Sequence, residues 1–126
     1  SGMDAGKIYN TWPLMGSNYF PDDNKFINLF NITSLSDPSL VQFMHRNIAY
    51  AILFIYVIML YNAYKIKLKN SYISIACLGL FLLIQIVLGI LTVVSGAQIV
   101  LSSMHQITSI LLVSSSVYLL FITQKN

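Results

Sequence analysis

Polar and apolar positions divide this chain in two. Up to about residue 40 they mix without a sustained period, and Pro13, Pro21 and Pro38, together with the run Pro21-Asp22-Asp23-Asn24, interrupt any long helix. Beyond that point come three long apolar runs, Val41–Tyr64, Ser71–Val94 and Ile99–Ile122, none of them containing proline. As helices each would measure roughly 36 Å at about 1.5 Å per residue, enough to cross a hydrocarbon core of about 30 Å. The pattern predicts an all-α membrane protein. Residues 1–40 read as an extramembrane loop with one short helix, and residues 41–126 as a domain of three transmembrane helices.

Composition supports the bilayer and excludes other classes. Charged residues make up 9% of the chain and hydrophobic ones 56%, whereas soluble domains carry roughly 25% charged residues. So apolar a chain is not intrinsically disordered. The pI is near 9.1, yet the basic residues form no patch or stripe, which argues against a nucleic-acid partner. The single cysteine, Cys77, excludes an internal disulfide framework and a cysteine-held metal cluster. Within the second run it reads as an inert, buried thiol.

Charge placement sets an orientation. All four acids (Asp4, Asp22, Asp23 and Asp37) precede the first run, Lys65, Lys67 and Lys69 cluster after it, and no charge follows until Lys125. Basic residues favour the cytoplasmic side. The lysine turn and the C-terminus are therefore expected inside, and the acidic loop and the short Ser95–Gln98 turn outside. The chain opens at Ser1 without an initiator methionine or a signal-peptide pattern. An odd number of spans with an exterior N-terminus predicts the C-terminal part of a longer membrane protein.

His45 and His105 are the only histidines, each a turn or two inside the expected outer end of its helix. The first and third spans run the same way, so both imidazoles belong at similar depth, roughly 6 and 9 Å below the interface by helix rise. Intramembrane ionisable residues are functional candidates. Two imidazoles facing across a small bundle can clamp an iron porphyrin through its axial positions, with apolar helices burying the ring. An interhelical hydrogen bond or a proton relay is the alternative. Arg46, next to His45, could pair a haem propionate in fork geometry or snorkel to headgroups. Gln106, in the matching place after His105, reads as an interhelical hydrogen-bonder. Gln85, Gly89, Thr92 and Gly96 share one face of the second helix, and such a small and polar stripe reads first as helix packing.

Longer motifs carry a resemblance. Ser1-Gly2-Met3-Asp4-Ala5-Gly6 and Tyr9-Asn10-Thr11-Trp12-Pro13-Leu14-Met15-Gly16 resemble the opening of the third exterior loop of haem A synthases. Asn28-Leu29-Phe30-Asn31 and Val41-Gln42-Phe43-Met44-His45-Arg46 are similar to that family's approach to its sixth helix. Gln85, Leu88-Gly89-Ile90 and Thr92 are similar to its seventh helix, and His105-Gln106 to the start of its eighth. The resemblance implies three helices of a four-helix haem-binding bundle, half of an eight-helix, two-repeat enzyme that oxidises a ring methyl of haem O to a formyl. It implies haem b as cofactor, with His45 and His105 as its axial iron ligands, and no catalytic residue of the methyl chemistry in this chain. It also implies the missing N-terminal half as partner, a haem O synthase as donor of substrate, and a setting for cytochrome oxidase assembly in a bacterial inner membrane (the mitochondrial inner membrane if eukaryotic). The exterior loop would then be periplasmic and the C-terminus cytoplasmic. The fragment alone is expected to be inactive, and a homo-oligomer is compatible with the pattern. A b-type electron-transfer subunit and a haem-free transporter or assembly fragment are the alternatives that histidine placement leaves open.

Overall fold

A computed structural model describes residues 5–67 and 71–124. It is all-helical: three long helices, α1 (Pro38–Lys65), α2 (Tyr72–Val94) and α3 (Ile99–Gln124), are each long and apolar enough to cross a membrane. Among the described residues there is no strand, only an isolated bridge between Met15 and Asn18. Ser1 to Asp4, Lys69 and Lys125, which entered the motif and charge arguments, lie outside the described residues.

Helix α1 begins at Pro38 rather than Val41 because of its cap. The Asp37 carboxylate accepts from the backbone N–H groups of Ser39 (3.0 Å) and Leu40 (3.1 Å), and Pro38 fills the first turn, where an N–H would lack a partner anyway. The Ser39 hydroxyl bond, followed by the Leu40 N–H, holds the Asp37 carboxyl below its ordinary value of 3.8. The contribution of this cap to stability is therefore complete above that value and is lost as pH falls through the depressed one. Asp37→Ala is expected to cost about 1 kcal/mol and to fray the first turn of α1. Amide hydrogen exchange at Ser39 and Leu40 checks it.

The C-terminal ends of α1 and α2 are closed by left-handed residues. At the end of α1, Lys67 (φ 55°) turns its N–H onto the Tyr64 carbonyl. After α2, the Gly96 N–H donates to Val93 O (3.1 Å) and the Ala97 N–H to Thr92 O (2.7 Å), with φ of 71° and 58° at the two residues. This is a Schellman closure, which satisfies helix-end carbonyls and reverses the chain in very few residues.

The expected single short helix of the N-terminal segment is instead three 3-10 turns, Ala5–Lys7, Phe26–Phe30 and Ile32–Ser36. Their runs are too short to repay α-helix nucleation, and 3-10 turns serve as connectors in such stretches.

Helices α2 and α3 form an antiparallel hairpin in contact along its length, while α1 touches α2 over a shorter stretch. Near the lysine turn, Ala63, Ile75 and Leu119 form a small buried core, with Tyr56, Met59, Leu78 and Ile122 packed against it. The Tyr56 hydroxyl donates to Ile75 O (3.1 Å) and occupies the space a side chain at Gly79 would need, so Gly79 sets how closely α1 approaches α2. Few other side chains of the three helices are buried, as befits surfaces that face lipid or further helices. Cys77 is exposed, which corrects the buried thiol expected from its place in an apolar run. With no charged neighbour on α2, hydropathy alone could not tell a lipid-facing position from a core one.

At the opposite end the N-terminal segment folds over α1. Tyr19 and Phe20 pack edge-on against Phe43, with ring centroids 5.6 and 5.0 Å apart, and the Tyr19 hydroxyl donates to Asn47 Oδ1 (2.6 Å). The segment closes on Gly16 (φ 77°), where a Cβ would lie 2.8 Å from Asp22 Oδ2 and 3.2 Å from the Tyr9 ring. Hydrogen bonds from Asn18 and then Ser17 hold the Asp22 carboxyl below its ordinary value.

Candidate functional site

The cap at Asp37 brings the two histidines to closer depth than the hydropathy boundaries do. His45 lies seven residues into α1 and His105 six into α3, or roughly 10 and 9 Å along their axes at about 1.5 Å per residue. The structure brings them together: their ring centroids are 6.3 Å apart, with planes at 76°. The α1 and α3 backbones themselves scarcely approach each other among the described residues, so the imidazoles meet across a gap. Two metal–nitrogen bonds of roughly 2 Å, plus about an ångström from each nitrogen to its ring centroid, come to about 6 Å. The spacing leaves room for one metal ion between the two rings.

Helix α2 builds the wall behind His105. The Gln85 side-chain nitrogen lies 3.3 Å from His105 Nε2, and Thr108, one turn below the histidine, donates its hydroxyl to Gln85 Oε1. Gly89 faces the other edge of the ring, where a Cβ would come within 3.1 Å of Cε1. His105 Nδ1 is buried with no hydrogen-bond partner, as is Thr92 Oγ1 one turn further along α2. Orphaned buried polar atoms are rare in folded proteins and point to a group that completes them. The α2 stripe read as packing is therefore the support of His105. The interhelical hydrogen-bonder is Gln85 rather than Gln106, which is exposed and whose backbone carbonyl accepts from Ser109. Sequence held a signal for this: across a turn as short as Ser95–Gln98, Gln85 is bound to face the α3 turn that runs from His105 to Thr108.

Gln85→Leu keeps the volume and removes both hydrogen bonds. A hydrogen bond of this kind contributes roughly 0.5–1.5 kcal/mol, so the change is expected to free the His105 ring from its fixed orientation. The imidazole NMR resonances of His105 in the complete protein measure that, and an unchanged ring environment would count against a role for Gln85.

Arg46 is 8% exposed and Gln42 5%. The guanidinium donates through Nη1 to Leu14 O (3.1 Å) and through Nη2 to Tyr9 O (3.2 Å). Gln42 grips both backbone groups of Tyr9, accepting from its N–H at 3.2 Å and donating to its carbonyl at 2.9 Å. Arg46 Nε is buried without an acceptor. The arginine thus ties the N-terminal segment to α1 one residue from His45. The Tyr9 phenol in turn donates to Asp23 (2.9 Å), and partial burial, then that carboxylate, raises it above its ordinary value. Among the described residues no cluster of three or more His, Cys, Asp or Glu exists. His45 and His105 are the side chains here that could hold a metal.

Residues 1–117 match the cytochrome oxidase assembly protein family. The chain is 38% identical over 121 residues to a protein of Pelagibacter ubique named heme A synthase, covering 96% of this chain and 35% of that protein. It is 38% identical over 126 residues to the heme A synthase of Rickettsia prowazekii, covering 97% of this chain and 36% of the relative. It is 30% identical over 126 residues to that of Rickettsia africae, covering 100% and 37%. The chain therefore spans about a third of the length of the curated relatives it matches. No solved structure matches it significantly. With the family matched over nearly the whole chain, the paired histidines and the helix wall behind them are features of a member of the cytochrome oxidase assembly protein family, to which this chain belongs.

Proposed function

We propose that this chain is the b-haem-holding, C-terminal part of an enzyme that oxidises the ring methyl of haem O to the formyl of haem A. The observation that carries the reading is the pairing of His45 and His105 at 6.3 Å and matched depth across the gap between α1 and α3. Supporting it are the orphaned His105 Nδ1 and the missing side chain at Gly89, which lets the ring pack closely against α2. A haem held by His45 and His105 would supply one-electron transfer.

The residues of the chain hold and shield that group. His45 and His105 fix it from two helices, and Gln85 with Thr108 sets the ring of His105. The apolar faces of the helices keep water away, which strengthens every polar contact inside. Arg46, with N–H groups to spare and a buried Nε, suits a propionate while it holds the segment above. Methyl oxidation itself belongs to the remainder of the enzyme. Substrate arrives within the bilayer from a haem O synthase, and the N-terminal segment lies on the exterior, periplasmic side of a bacterial inner membrane. Purified complete protein should give a protohaem signal in a pyridine haemochrome assay and should form haem A when given haem O. Haem A formation without protohaem would sink the cofactor assignment, and protohaem without any haem A formation would leave a plain electron-transfer subunit.

A further inference from the structure

The stretch between Lys25 and Asp37 is partly inverted. Two of its polar residues turn towards the protein, Asn28, which donates to Asn24 Oδ1 (3.2 Å), and Ser34, which is buried, and the adjoining Asn24 donates to Asp37 (3.1 Å) and to the Ser39 hydroxyl (2.9 Å). Its large apolar groups turn away: Phe26, Ile27, Phe30 and Leu35 are all well exposed, and Ile32 is 93% exposed. Phe26 and Phe30 stack edge to face with centroids 5.9 Å apart. No residue from 26 to 36 carries a charge. In water this arrangement exposes what folding normally hides and buries what water would solvate.

We propose that residues 26–36 are an interfacial anchor that lays Phe26, Ile27, Phe30, Ile32 and Leu35 into the lipid leaflet beside the entry of α1. Continuity with the spanning helix identifies lipid as the occupant. Leu35 is three residues from Pro38, where α1 begins, and a chain covers at most about 3.6 Å per residue, so the near end of the patch lies within roughly 11 Å of the span. Absence of charge fits the same surface, since aromatic and aliphatic side chains settle at the boundary of headgroups and acyl chains. The exposed Asn31, Thr33 and Ser36 supply short uncharged polar groups at headgroup level. Lys25 and Asp37 bracket the patch, and the second of these is already spent on capping α1.

The test places a nitroxide on Ile32→Cys, Phe30→Cys and Asp23→Cys, one at a time, in a cysteine-free version of the complete protein. Each is reconstituted in vesicles of phosphatidylcholine and phosphatidylglycerol. Collision with oxygen, which partitions into lipid, is compared with collision with a water-soluble nickel chelate. The oxygen-to-nickel ratio is expected to be several-fold higher at positions 30 and 32 than at position 23. A ratio at 30 and 32 equal to that at 23 places the patch in water and overturns the proposal. Labels there that are immobilised and reached by neither reagent also overturn it, in favour of a protein partner. Because Ile32 and Phe30 make no buried contact, loss of the fold does not confound the reading, and haem content plays no part in it.

Discussion

Replacing His105 by alanine in the complete protein is expected, on the haem ligation proposed above, to remove a low-spin haem centre. His105 is the half-buried member of the pair, with Gln85, Thr108 and Gly89 arranged around it. Loss of even an outer partner costs roughly 10–100-fold in affinity, so loss of the ligand itself should lower occupancy at least tenfold. His45→Ala should do the same, although His45 is more exposed and lacks such a wall. Low-temperature electron paramagnetic resonance reads both, since each bis-imidazole centre gives its own low-spin signal. The signal assigned to this chain should vanish in either variant while folding, followed by circular dichroism, is kept. Persistence of that signal in both variants would falsify the assignment of the ligands. Haem A formation should fall with it, and substrate binding elsewhere in the enzyme should not.

Removal of the Arg46 guanidinium should have the next largest effect, on the segment above the histidines rather than on the histidines themselves. Arg46→Ala strands the carbonyls of Leu14 and Tyr9 beside a void. Hydrogen bonds to charged groups contribute about 1.5–3 kcal/mol each, and Gln42 still holds Tyr9. A net loosening of the segment of roughly 2–4 kcal/mol follows, enough to raise its open population by more than tenfold. Proteolytic cutting between residues 10 and 24 should accelerate accordingly. Arg46→Lys keeps a charge but not the fork that reaches two carbonyls, and should fall in between. If Arg46→Ala protein resists protease like the parent while losing haem, the arginine serves the cofactor alone.

Residues 41 to 122 announced their helices plainly, because charges are few and apolar runs are long. The start of α1 was less visible. Asp37, Ser39 and Gln42 are polar, so hydropathy discards the turn that Asp37 caps, although Asp-Pro is itself a helix-start signal. The histidine pair was legible through depth, a property that helix rise converts directly from residue number. The partners of Arg46 were not, since Leu14 and Tyr9 lie 32 and 37 residues away and are reached through irregular backbone. What sequence did offer was Gln42 and Arg46 one turn apart on an otherwise apolar helix, a polar ridge that had to meet something. The partly inverted stretch at 26–36 was hidden for the opposite reason: its polar and apolar residues are ordinary in number, and only their directions are unusual.

The closure at Gly96 works as a ruler for this protein. Because α2 and α3 reverse in so few residues, a step down one helix is matched by a step up the other: Gln85 meets Thr108, and Gly89 meets His105. The address of each wall residue is thus counted from the turn rather than chosen by local packing. One residue removed at Ala97 would rotate α3 by about 100° and slide it about 1.5 Å, carrying His105 off the gap it shares with His45. Substitutions along the hairpin are local events, but a change of length at its bend readdresses every pair at once. Loops on membrane proteins usually tolerate insertion; this one carries the spacing of the site in its length.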